Sequence, residues 1–106
     1  MHEIRDKSGA VAARSRNLRG IRAHASKRPV KAVYVRRCDD GTAELTLLWH
    51  NGDLATVPFA SFRVLLKTLS NWRSIQGARL SIDGFYYGAL ERKNPLWTSF
   101  LLNPNQ

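Results

Sequence analysis

The sequence is poor in cysteine and in long apolar runs, and each shortage excludes a class of protein. A single cysteine, Cys38, cannot build an internal disulfide framework, and it fits a reducing compartment. Cysteine-rich zinc sites are excluded for the same reason. The longest apolar runs are fragments such as Leu47–Trp49, whereas a bilayer span needs about 20 largely apolar residues. We therefore expect a cytoplasmic protein with no signal peptide and no membrane-spanning segment.

Acidic residues are also scarce, and the shortage is concentrated at one end of the chain. The 106 residues include 17 Lys and Arg against 8 Asp and Glu, a formal net charge of +9. Residues 1–37 contain eleven of the basic side chains and only two of the acids, so the whole excess charge lies there. This balance favours a polyanionic partner, either nucleic acid or an acidic protein surface.

Composition divides the chain into three parts within a single expected domain. Residues 1–29 are predicted to be a basic N-terminal arm, residues 30–90 a neutral globular domain and residues 91–106 a C-terminal strap. Within the arm, apolar spacing predicts a short helix over residues 16–25, which must end before Pro29.

Residue patterns in the globular part predict the order β-β-β-α-β-β. Strands are expected over 30–37, 43–50, 53–57, 78–82 and 85–90, with a helix that begins at Pro58. Asn51-Gly52 predicts a two-residue type I′ hairpin turn, which would place His50 opposite Asp53. We therefore expect an α+β fold, in which a short N-terminal helix precedes an antiparallel sheet with one helix packed on a face.

Part of this body resembles a family of small bacterial domains of unknown function. The resemblance covers residues 44–82 and rests on a strand and turn, a strand closing on Val-Pro, a helix with Phe and Leu-Leu, and Asn-Trp-Arg. In this sequence those motifs are Glu44–Asp53, Val57-Pro58, Phe62, Leu65-Leu66 and Asn71–Ile75. Some members lie beside small toxins and look like antitoxins, and others are joined to a helix-turn-helix. The resemblance implies a shared fold and suggests an inhibitor as one function.

No residue pattern predicts catalysis or a bound cofactor. His2, His24 and His50 are far apart in sequence, and none stands in a spacing typical of metal ligands. Asp39 and Asp40 belong to an ordinary turn, and no phosphate-binding loop or nucleophile elbow occurs. We expect a protein that is not an enzyme and that has no catalytic residues, no metal and no cofactor.

The favoured hypothesis is a small nucleic-acid-binding protein whose arm contacts phosphates, with DNA favoured over RNA. Low sequence specificity is expected, because phosphate contacts position a protein without reading bases. Eight basic residues are the predicted contacts: Arg14, Arg16, Arg19, Arg22, Lys27, Arg28, Arg36 and Arg37. Tyr34, Tyr86 and Tyr87 are candidates for base stacking. The small core favours the other interpretation, in which all three rings are packed inside.

The alternative hypothesis is a protein-binding inhibitor, of the antitoxin or phage anti-defence kind. In that case the basic arm would cover an acidic or nucleic-acid-binding surface on its target. Exposed sheet edges and the apolar residues of the strap also leave a homodimer open. The sequence does not decide between the two hypotheses.

Overall fold

The computed structural model describes residues 2–6, 8, 11–15 and 18–91, and only the backbone at residues 2, 11–15, 18 and 19. The described residues form a mixed seven-stranded sheet, two α-helices and a short 3₁₀ helix. In chain order the elements are β1 (His2–Arg5), β2 (Val11–Ser15), α1 (Leu18–Lys27), β3 (Val30–Arg37), β4 (Ala43–Trp49), β5 (Leu54–Phe59), α2 (Phe62–Ser70), the 3₁₀ helix (Arg73–Ile75), β6 (Arg79–Ile82) and β7 (Phe85–Ala89). Within these ranges no helix is long and apolar enough to cross a membrane.

The sheet has the strand order β2-β1-β5-β4-β3-β6-β7. Every neighbouring pair is antiparallel except β3 and β6, which run parallel with Val33 opposite Leu80. The prediction of an antiparallel sheet is therefore wrong. Between β3 and β6 the chain forms two strands and both later helices before it returns, and a crossover of that length permits parallel pairing.

Two strands precede the first helix, so the predicted order with a helix as the first element is also wrong. β1 pairs with β5, and Ile4 of β1 is 2% exposed. α1 begins two residues later than the predicted helix and ends two residues later. It places Ile21 and Ala25 in the same core as Ile4. The described part of residues 1–29 is thus continuous with the globular body.

Alternating burial along the central strands divides the sheet into two faces. β4 shows the pattern most clearly, with Leu45 and Leu47 buried and Thr46 partly exposed between them. α1, α2 and the 3₁₀ helix lie on the buried face, where their side chains join one core cluster with those of the strands. The helices therefore cover one face of the sheet, and the other is open.

α2 begins later than predicted. Pro58 lies inside β5, opposite Glu44, and the helix begins at Phe62 after the N-cap residue Ser61. The Ser61 hydroxyl accepts a hydrogen bond from the backbone N–H of Val64 at 3.2 Å. β1 pairs with β5 only at Leu54 and Ala55. Pro58 lies beyond that pairing, so the N–H that proline lacks is not required for a hydrogen bond to β1.

The turns at Asn51-Gly52 and Asp83-Gly84 differ from each other in backbone conformation. Asp83 and Gly84 both have positive φ, +51° and +86°, as a type I′ turn requires. At Asn51-Gly52 only the glycine has positive φ, and the ladder closes at Trp49, whose N–H donates to the Asp53 carbonyl. That loop therefore has three residues, and the predicted type I′ turn is wrong there. His50 is not opposite Asp53.

Candidate nucleic-acid interface

The helical side of the molecule is basic and carries no acidic residue in its helices. α1, α2 and the 3₁₀ helix contain no Asp or Glu, and residues 54–82 as a whole contain four basic side chains and no acid. The exposed basic side chains described in these elements and directly after α1 are Arg22, Lys27, Arg28, Arg63, Lys67 and Arg73. We call these six residues the helical basic face.

One stacking contact joins two parts of the helical basic face. The guanidinium of Arg22 in α1 lies 5.1 Å from the centroid of the Trp72 ring, a cation–π distance. Trp72 is 2% exposed and directly precedes Arg73, the first residue of the 3₁₀ helix. α1 and the 3₁₀ helix pack together, so Arg22 and Arg73 belong to one surface although they are distant in sequence.

The predicted contacts Arg36 and Arg37 lie on opposite faces of β3, because successive strand residues alternate. Arg36 is on the open face, and its guanidinium forms an ion pair with Glu44 at 2.9 Å. The hydrogen bond that the Arg36 guanidinium donates to Glu44 and the negative charge of that carboxylate raise the pKa of Arg36. Arg37 lies over the Phe62 ring on the helical side and forms an ion pair with Asp83. Both predicted contacts are therefore partly neutralised.

Of the other six predicted contacts, Arg22, Lys27 and Arg28 are exposed on or directly after α1. Arg16 and the side chains of Arg14 and Arg19 lie outside the described part of the chain. The structure thus brings three of the predicted residues to the helical basic face.

The sequence prediction missed three basic residues of that face, because it considered only the net charge of residues 38–106, which is zero. Arg63, Lys67 and Arg73 come from this neutral part. None of the acids that balance them lies in these helices. Glu44 is on the open face and Asp83 is in the β6–β7 turn. Asp39 and Asp40 are in the β3–β4 turn, whose residues line a groove together with Arg63. The acid-free run over residues 54–82 was the available signal.

The open face of the sheet carries exposed aromatic rings. One row of paired residues crosses five neighbouring strands, and it consists of Thr56, Thr46, Tyr34, Ser81 and Tyr86. Tyr34 is 44% exposed and Tyr86 is 58% exposed, so the interpretation that packs the rings in the core is wrong for these two. Tyr87 is partly buried and packs against the core. The Thr46 and Thr56 hydroxyl oxygens are 3.2 Å apart, as expected for neighbours on one face.

A shallow groove borders Tyr34 on this face. Its volume is about 490 Å³, and Arg36, Glu44, Thr46 and Gly84 are among the residues that line it. On the other side of the row, the guanidinium of Arg79 lies 4.8 Å from the centroid of the Tyr86 ring. The open face therefore combines a groove, two exposed rings and arginine side chains.

One imidazole–carboxylate pair occurs among the described residues, between His24 and Asp53. It is enclosed between α1 and the β4–β5 loop, and its hydrogen bonds are within the fold. Across the described residues no group of three or more His, Cys, Asp and Glu side chains could hold a metal ion.

Comparison with protein-family models, curated proteins and solved structures finds no match to this chain. The resemblance noted over residues 44–82 therefore stays a prediction.

Proposed function

We propose that this is a small non-enzymatic nucleic-acid-binding protein that contacts phosphates through its helical basic face. The observation that carries the proposal is the set of basic side chains in the helical basic face, none of which forms an ion pair among the described residues. Six exposed basic side chains lie on or beside helices without acidic residues, whereas Arg36 on the open face is paired with Glu44. A cluster of positive charges on a protein surface attracts a polyanion and raises the local concentration of that polyanion.

Rigid support also favours this surface as a binding site. α2 buries Phe62, Leu65, Leu66 and Leu69 in the core, which fixes the directions of Arg63 and Lys67 on its outer side. Arg22 is held by Trp72. Basic side chains that are already positioned lose less conformational entropy when they bind phosphate than side chains on a mobile tail.

The proposal retains Arg14, Arg16 and Arg19 as further phosphate contacts, because they lie before and within the first turn of α1. Deletion of residues 1–28 would be a poor test. It would remove β1 from the sheet and take buried Ile4, Ile21 and Ala25 from the core. Substitutions that remove charge on the outer side leave the core intact and separate binding from folding.

The test is a salt titration of binding to a fluorescently labelled DNA duplex, with the full chain, between about 50 mM and about 200 mM salt. In the double variant Lys67→Gln/Arg73→Gln, the slope of log affinity against log salt should become shallower by roughly 2. Each lost phosphate contact removes about 0.9 from that slope.

The matched variant Arg5→Gln/Arg36→Gln removes the same charge from the open face, where Arg5 is opposite the exposed Leu54. It should leave the slope nearly unchanged, because neither guanidinium belongs to the helical basic face. Equal changes in both double variants would contradict the assignment to one face. A full chain that binds no oligonucleotide at about 50 mM salt would contradict nucleic-acid binding itself. A stoichiometric protein partner that survives nuclease treatment would then favour the inhibitor hypothesis.

A further inference from the structure

We infer that the open face of the sheet is a platform for single-stranded nucleic acid, on which bases stack against Tyr34 and Tyr86. This inference rests on the proposed function, because it takes nucleic acid as the ligand class. It adds a second surface, opposite the helical basic face, and a preference for unpaired strands. Single-stranded DNA and RNA present the same stacking and phosphate chemistry to this surface.

The spacing of the two rings suits successive contacts along one strand. Tyr34 in β3 and Tyr86 in β7 are both paired with Ser81 of β6, which lies between them. Neighbouring strands are about 4.8 Å apart, so the two tyrosine backbones are separated by roughly 10 Å. The Ser81 side chain between them is small and partly exposed.

Both rings are exposed on the open face of the sheet. Tyr34 and Tyr86 are 44% and 58% exposed although the core of this small protein is otherwise well filled with apolar residues. An exposed tyrosine ring presents a π-face on which any base can stack, and such stacking tolerates different sequences. A duplex keeps its bases stacked inside, so it cannot use these rings in the same way.

Charge favours a nucleic acid over an apolar peptide as the occupant. Arg79 stacks on Tyr86, and across the described residues it forms no ion pair with a carboxylate. Its guanidinium is thus placed to meet a phosphate or a base beside the ring. Glu44 near Tyr34 is already paired with Arg36, so its charge is compensated. The whole chain carries a net charge of +9, which complements a polyanion and not a neutral peptide.

The groove beside Tyr34 adds a place for a base edge. Its volume of about 490 Å³ is within the range of small-ligand pockets, and Thr46 supplies a hydroxyl next to the Glu44 carboxylate. Hydroxyl and carboxylate groups can accept hydrogen bonds from the amino groups of a splayed base.

The experiment measures fluorescence anisotropy of labelled oligonucleotides of about 15 nucleotides, the upper range for one single-strand-binding fold. The probes are oligo(dT), oligo(U) and a DNA duplex of similar length. The variants are Tyr34→Thr and Tyr86→Thr, since threonine is a good strand former and both positions are exposed. Tyr34→Phe retains a stacking ring. Leu54→Thr changes an exposed residue of the open face outside the tyrosine row.

Each tyrosine-to-threonine variant should weaken single-strand binding about tenfold or more, as loss of a stacked base contact does. Duplex affinity should change by less than about twofold, because stacking on the rings needs an unpaired base. Tyr34→Phe and Leu54→Thr should bind oligo(dT) and oligo(U) like the unmodified chain. Whichever of oligo(dT) and oligo(U) binds more tightly shows whether the bound strand is DNA or RNA.

Single-strand affinity that is unchanged in both threonine variants would overturn the platform. If Lys67→Gln/Arg73→Gln still weakened binding in that case, the proposed function would stand without it. Equal losses on single strands and duplex would also overturn the platform, because the rings would then not distinguish unpaired bases. An unmodified chain that binds none of the three probes would refute the proposed function and the platform together.

Discussion

The imidazole of His24 and the carboxylate of Asp53 lie 2.8 Å apart between Nε2 and Oδ2, and they connect α1 to the β4–β5 loop. Asp53 is 6% exposed and is the one buried charged residue among the described residues. Asn51 also holds it, since its Nδ2 donates to the same carboxylate and its Oδ1 accepts from the Asp53 N–H. The His24 ring meets Trp49 edge-on, with centroids 4.8 Å apart. The pair therefore fixes the first helix onto the sheet.

His24→Ala should lower the free energy of unfolding by about 2–3 kcal/mol, because it leaves a buried carboxylate with one hydrogen-bond partner fewer. Urea denaturation of the variant and the unmodified chain measures this loss. His50→Ala is the control, since His50 is exposed and its loss should cost less than about 0.5 kcal/mol. In the double variant His24→Ala/Asp53→Asn the losses should be less than additive. Full additivity would mean that the two side chains do not interact.

This pair shows what sequence patterns miss. Helical and strand periodicity located β3, β4 and the apolar stripe of α2, because those patterns depend on neighbours within a few positions. His24 and Asp53 are 29 positions apart, and nothing local to either residue marks the other as its partner. Long-range pairing depends on how elements meet in the folded chain.

The same reason explains the errors in the sheet. β1 is a strand of only four residues, and its buried Ile4 is one apolar position in a charged segment. Such a strand is stabilised by its pairing with β5 more than by its own sequence. The type I′ turn predicted at Asn51-Gly52 likewise rested on the local preference of this dipeptide, and it was wrong. The hydrogen bonds of Asn51 to Asp53 close a longer loop instead.

The candidate site was predictable only in part. Arg22, Lys27 and Arg28 were identified from charge alone, since a basic segment is visible by counting. The separation of Arg36 from Arg37 follows from strand alternation, and the exposure of Tyr34 follows from the same rule once the covered face is known. Which face the helices cover is a property of the tertiary fold.

Trp72→Ala should lower the free energy of unfolding by about 3–5 kcal/mol, because Trp72 is 2% exposed and belongs to the core cluster. A marked fall of the melting temperature in a thermal unfolding experiment would confirm this. Arg22→Met keeps aliphatic cover over the ring and removes only the cation–π contact, so it should cost about 0.5–1 kcal/mol. A Trp72→Ala variant that stays stable and loses only nucleic-acid binding would place Trp72 in the binding site instead.

Gly84→Ala should destabilise the fold by about 1–2 kcal/mol through the backbone alone. Gly84 has φ +86°, and an added Cβ would meet no atom within 4 Å, so steric contact with the rest of the protein contributes nothing. Asparagine adopts positive φ more readily, and Gly84→Asn should therefore cost less than Gly84→Ala. Chemical denaturation of both variants makes the comparison. Equal costs would contradict a type I′ turn at Asp83-Gly84.

Because of Asp83, the stability of the β6–β7 turn depends on pH. Partial burial by itself raises the pKa of this carboxyl, but hydrogen bonds from the Arg37 N–H and guanidinium, together with the Arg37 charge, lower it overall. A carboxylate with a lowered pKa stabilises the folded chain above its unfolded pKa of 3.8, and this contribution is lost as the pH falls through the folded value.

Asp83→Asn removes that contribution, while asparagine still tolerates the positive φ at this position. At pH 7 the variant should therefore be less stable than the unmodified chain by about 0.5–1 kcal/mol, as for a partly exposed ion pair. The difference should stay constant down to about pH 5 and shrink below about pH 4, because protonated Asp83 no longer pairs with Arg37. Urea unfolding at several pH values gives this difference directly.

Asp39→Asn, in the exposed β3–β4 turn, is the control and should cost less than about 0.5 kcal/mol at pH 7. A gap between Asp83→Asn and the unmodified chain that is the same at pH 3 and pH 7 would show that the ionised carboxylate does not stabilise the turn.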